Sequence, residues 1–121
     1  MRLLLTIGSL LFAALAASRP LWVVKEFPAD GSISAFVEAI GAEGDMTKEE
    51  NVDPVSLRLI VDGADVTQKS RITMTRDWPP SLFSISYSPT RIKPGTHHAD
   101  LYLRTTNGEE LYYGWTFTIT P

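Results

Sequence analysis

Apolar and polar residues alternate most clearly within residues 52–67, where Leu57, Leu59 and Val61 fall on one side of an extended chain and Ser56 and Arg58 on the other. The run ends at Asp62-Gly63, a pair suited to the positive φ angles of a tight hairpin, so strand, turn and returning strand are predicted there. The same pattern recurs further on. Residues 82–88 set Phe83, Ile85 and Tyr87 against Ser84, Ser86 and Ser88, and residues 97–106 set Ala99, Leu101 and Leu103 against His98, Asp100, Tyr102 and Arg104. Residues 111–120 carry Trp115, Phe117 and Ile119 on one face, and residues 70–76 pair Ile72 with Met74.

Residues 21–27 predict a first strand, closed by the turn at residues 28–31. Residues 32–40 predict a second, with Ile33, Ala35, Val37 and Ala39 on one face; a short helix is the rival there, and Gly41 and Gly44 bracket it. The acidic residues 43–53 predict the longest loop. Pro79 and Pro80 must interrupt the sheet, because proline donates no ladder hydrogen bond. Asn107-Gly108 signals another hairpin, but a symmetric two-residue turn would put Trp115 on the wrong face. An odd-length loop is therefore expected, or a bulge with Gly114 as its place. About seven short strands with no convincing helix describe an all-β antiparallel sandwich or small barrel.

The first residues change the picture. Arg2 precedes a nearly continuous apolar stretch to Ala17, shorter than the ~20 residues that span a bilayer. Small residues follow at cleavage-site spacing, so residues 1–18 are expected to form a signal peptide, cut after Ala16 or Ser18, and residues 19–121 the sandwich domain. A periplasmic or secreted protein is expected, with no stable membrane insertion after cleavage. Cysteine is absent, so no disulfide supports the fold. Net charge is −3, and the leader would take Arg2 with it; nucleic acid is not an expected partner.

Residues 52–67, then Tyr87-x-Pro89, Ile92-x-Pro94-Gly95-x-His97, Asn107-Gly108 and Trp115-x-Phe117, together resemble the immunoglobulin-like domains of bacterial exported and surface proteins. The resemblance covers most of the chain beyond the leader. It implies an immunoglobulin-like β-sandwich that is not an enzyme and that serves as a binding or accessory module. A protein or glycan partner in the cell envelope or outside is the expectation, with Trp78, Tyr102 and Tyr112 as its contacts, since exposed aromatics bury large rigid areas.

Candidate chemistry is sparse. No catalytic, cofactor-binding or metal-binding residue is assigned, and no cofactor is expected. Asp62, Asp65 and Thr67 are explained by turn geometry and local hydrogen bonds. The acidic residues 43–53 lack the spacing of a calcium loop. His97 and His98 offer the one nitrogen-rich alternative, a small periplasmic copper carrier, but neighbours in a strand diverge. The copper-carrier sandwiches that this chain also resembles in size use a histidine at the mature N-terminus, where this sequence has Ala17 or Arg19. Met46 and Met74 are candidate soft ligands, and core packing or exposure explains each more simply.

Overall fold

Strict alternation builds the two longest strands. A computed structural model describes residues 19–47, 52–76 and 80–121; the expected leader, Glu49, Glu50 and Trp78 lie outside the described residues. Strands β8 (Gly95–Arg104) and β9 (Glu110–Ile119) pair antiparallel through ten consecutive partners, from Gly95 opposite Ile119 to Arg104 opposite Glu110. Ala99, Leu101 and Leu103 of β8 point inward beside Tyr113, Trp115, Phe117 and Ile119 of β9, and all are buried. The other face of this hairpin meets solvent. On the far side of β8 lies β4 (Arg58–Val61), which turns at Asp62 (φ 50) and Gly63 (φ 83) into the two-residue β5 (Ala64–Asp65). Positive φ at both central residues gives this turn the twist a hairpin needs, as the Asp-Gly signal predicts.

The second sheet contains β1 (Val23–Phe27), β3 (Ile40–Asp45), β7 (Leu82–Tyr87) and β6 (Arg71–Met74), in the order β1-β3-β7-β6. The first sheet runs β2-β9-β8-β4-β5, where β2 (Ile33–Ser34) is parallel to the end of β9 and every other pair is antiparallel. Between the sheets Leu57, Phe83, Leu101 and Trp115 share one core. The chain is a two-layer β-sandwich, one of the two forms its alternation allowed, with the immunoglobulin-like character that the resemblance implied. Its nine strands among the described residues exceed the expected seven because two of them contribute only two residues each.

Residues 32–40 depart from expectation. Before Ile40, which opens β3, only Ile33 and Ser34 pair, and Ile33 is 70% exposed, so the expected inward face of Ile33, Ala35, Val37 and Ala39 does not form as a strand. The strand lies later, in β3, which runs into the acidic residues 43–45 expected to begin a loop and contains the glycines expected to bracket a short helix. Those glycines have a packing cause. A Cβ on Gly41 would collide with the carbonyl oxygen of Ile85 on β7, and one on Gly44 would enter the Phe83 ring. Both mark close approach inside a strand rather than its end.

At the β8–β9 turn the chain uses residues 105–109, an odd-length loop, and the register shows no bulge at Gly114. A bulge occurs instead in β1, where the partners step from Val23–Gly44 to Lys25–Glu43. The extra residue leaves Val24 and Lys25 both outward and turns Glu26 into the protein. Glu26 is 7% exposed, accepts a hydrogen bond from the Asp30 amide at 2.9 Å, and pairs with the Arg19 guanidinium at 3.3 Å.

Gly41→Ala forces backbone apart in the middle of the β3–β7 pair. We expect it to destabilise the fold by about 2–3 kcal/mol, the range of overpacked cores, read as a lower urea midpoint at unchanged slope.

Candidate functional site

The period of two in β8 sends its adjacent histidines to opposite faces, as expected. His97 points inward near the Asp62-Gly63 turn, its ring stacked on Phe117 at a centroid distance of 5.6 Å. Nδ1 lies 2.6 Å from Asp62 Oδ2 and Nε2 lies 2.6 Å from the Lys93 carbonyl oxygen. Both partners are acceptors, so the ring satisfies them only by donating from both nitrogens, as imidazolium. Burial by itself would push its pKa down. The Asp62 hydrogen bond, the Lys93 carbonyl and the Asp62 charge outweigh burial and hold it above the ordinary histidine value. No lone pair remains for a metal, so His97 drops out as a ligand and becomes a clasp between β8, the turn and residues 89–95.

Asp62 has a purely structural part as well. Its Oδ1 accepts the His98 amide at 2.9 Å, and its own amide donates to the His98 carbonyl at 2.8 Å. Asp65 Oδ1 accepts the Thr67 amide at 2.9 Å, and this local bonding by Thr67 holds the carboxyl below its usual range. Thr67 Oγ1 accepts the Leu59 amide. All three act as the turn reading predicts. Met46 is fully buried, and Met74 is partly buried against the core. Asp53 caps a short 3-10 turn at Pro54–Ser56 and sits 3.7 Å from Arg104.

His98 is different: its side chain is 49% exposed, on the outer face of the five-stranded sheet. Two residues on and on the same face, Asp100 Oδ1 lies 2.8 Å from His98 Nε2. The same oxygen accepts the Tyr112 hydroxyl at 2.5 Å. Tyr112 arrives from β9, where Gly114 faces Asp100; a Cβ on Gly114 would collide with the tyrosine hydroxyl. Burial, the Asp100 hydrogen bond and the Asp100 charge push the Tyr112 pKa up to about 12. Tyr112 also packs on Tyr102, with ring centroids 4.9 Å apart. Beyond the tyrosines an open groove of about 500 Å³ is bounded by Arg58, Arg104, Glu110 and Val55.

Of the three aromatics expected to contact a partner, the sheet brings Tyr102 and Tyr112 together, and Trp78 lies outside the described residues. Asp100 is the residue the sequence reading missed. Its spacing from His98 was the available signal, since strand residues two apart share a face. Among the described residues no three His, Cys, Asp or Glu side chains converge as a metal-binding group.

No protein-family model matches the chain, and none of the curated proteins does. Solved structures do. The sandwich is similar to CopC from Methylosinus trichosporium OB3b, with a TM-score of 0.57 at 13% identity, covering 83% of this chain and 93% of that one. It is also similar to PcoC, a methionine-rich copper resistance protein from Escherichia coli, with a TM-score of 0.51 at 19% identity, covering 81% and 96%. At such identities the likeness establishes the fold. It also corrects the expectation of a binding module with a protein or glycan partner, which rested on resemblance to surface-protein domains. CopC and a copper resistance protein are among the chains that share this sandwich over nearly their whole length.

The His97 clasp carries a pH signature. Its folded pKa is raised, so its contribution is complete below the unfolded value of about 6.5 and is lost as pH rises through the folded value. His97→Gln should cost about 1–2 kcal/mol at pH 6, with the gap to wild type narrowing toward alkaline pH in thermal melts.

Proposed function

We propose that the protein is an exported carrier of copper(II), non-catalytic, binding the ion at His98 and Asp100 on the outer face of the five-stranded sheet. The observation that carries this reading is the exposed imidazole–carboxylate pair, with Nε2 and Oδ1 2.8 Å apart. It sits on a sandwich of the kind found in CopC and PcoC. Nitrogen and oxygen donors suit the divalent ion. Copper(I) prefers sulfur, and this chain has no cysteine, a buried Met46 and a core-packed Met74.

Two protein donors leave the remaining positions of an ion to solvent. A site of that kind exchanges its cargo readily, which favours transfer over storage. Its open sheet face supports carriage better than turnover, since small-molecule catalysis favours an enclosing cleft. The leader at residues 1–18 and a periplasmic or secreted location belong to the same reading, because they place the pair where extracytoplasmic copper is met.

Titration of the purified protein with copper(II) in a non-coordinating buffer is expected to show one equivalent bound. His98→Ala should abolish it and Asp100→Asn should weaken it at least about tenfold, the scale on which a lost charged partner acts. His97→Gln should leave it in place. Absence of stoichiometric binding, or full binding by His98→Ala, would overturn the proposal. Affinity should also fall on acidification, since protons compete with the metal for its ligands.

A further inference from the structure

Asp100 Oδ1 is claimed twice in the metal-free protein, by His98 Nε2 at 2.8 Å and by the Tyr112 hydroxyl at 2.5 Å. An ion bridging Nε2 and Oδ1 takes the position of the His98 bond, and at Oδ1 it must share the oxygen with the Tyr112 hydroxyl. The geometry points to Tyr112 as a gate on the site: its hydroxyl competes with the incoming ion for Asp100 and so sets the affinity. This inference rests on the carriage proposed above and goes beyond it by assigning a residue on the partner strand control over loading.

The surroundings fit a side chain that can leave. Tyr112 is 51% exposed, and Tyr102, the ring it packs on, is 45% exposed. Swinging the phenol away therefore gives up little buried area. Beside the ring lies the groove bounded by Arg58, Arg104 and Glu110, which has room to receive it. In the closed position the hydroxyl fits only because Gly114 has no side chain. Glycine at that position, opposite Asp100, is what allows a residue of β9 to reach the carboxylate of β8.

Removing the hydroxyl alone separates a gate from a ligand. Tyr112→Phe keeps the ring and its contact with Tyr102, so the fold is undisturbed. Isothermal titration with copper(II), and separately with zinc(II), should show the variant binding about tenfold more tightly than wild type, the value of one charge-assisted hydrogen bond no longer in competition. His98→Ala in the same background should remove the gain. In wild type, zinc should also shift the Tyr102 ring-proton resonances as Tyr112 departs from its face. Equal or weaker binding by Tyr112→Phe, with wild type still loaded through His98, would overturn the gate while leaving carriage intact. No binding by either protein would overturn carriage itself and the gate with it, whereas binding confined to Tyr112→Phe would overturn carriage by the wild type while supporting a gate held closed.

Discussion

The ten-residue register between β8 and β9 is the constraint on which the rest of this molecule depends. Strand residues alternate faces, so a slip of one position would exchange the two sides of the hairpin. Trp115 and Phe117 would then face water, and Tyr112 would no longer stand where it meets Asp100. The five-residue loop at 105–109 sets that register. Thr105 Oγ1 donates to Asn107 Oδ1 and accepts the Glu109 amide, and the Glu109 carbonyl accepts the Thr105 amide at 2.9 Å. A few local bonds at a sheet end thus decide both what the core contains and what the outer face can do.

Much of the architecture was legible because it follows from period-two patterning and turn chemistry. The hairpin at Asp62-Gly63 and the inward faces of β7, β8 and β9 read directly from residue spacing, which narrowed the arrangement to a sandwich or small barrel. The odd loop after Arg104 followed from a conflict between a turn signal and the position of Trp115. What stayed hidden had a tertiary cause. Gly41 and Gly44 looked like breakers, although their role is to let β7 come close, and a contact forty residues away leaves no local mark. Ile33 and Phe36 misled in the opposite sense, since apolar residues also occupy exposed positions.

The site divides the same way. Divergence of His97 and His98 needed only strand geometry, so their different fates could be foreseen. The alternation also set His98 outward and so His97 inward, whereas the partners of the inner ring, Asp62 and Lys93, come from other segments and left no local sign. Pairing Tyr102 with Tyr112 and delivering a phenol to Asp100 required the register first. The histidine left exposed is also the one whose carboxylate neighbour shares its face, and that coincidence gives the outer sheet its chemistry.

The bulge in β1 has a consequence for how the protein tolerates trimming. By rotating Glu26 inward it commits a carboxylate to a largely dry setting whose counter-charge, Arg19, comes from the segment just ahead of the strand. Arg19 also donates to the Val24 carbonyl at 2.9 Å, lashing that segment to the bulge itself. Peptidase action that removed Arg19 would leave a buried anion without its cation, a costly arrangement at neutral pH. Either cut expected for the leader, after Ala16 or after Ser18, spares it.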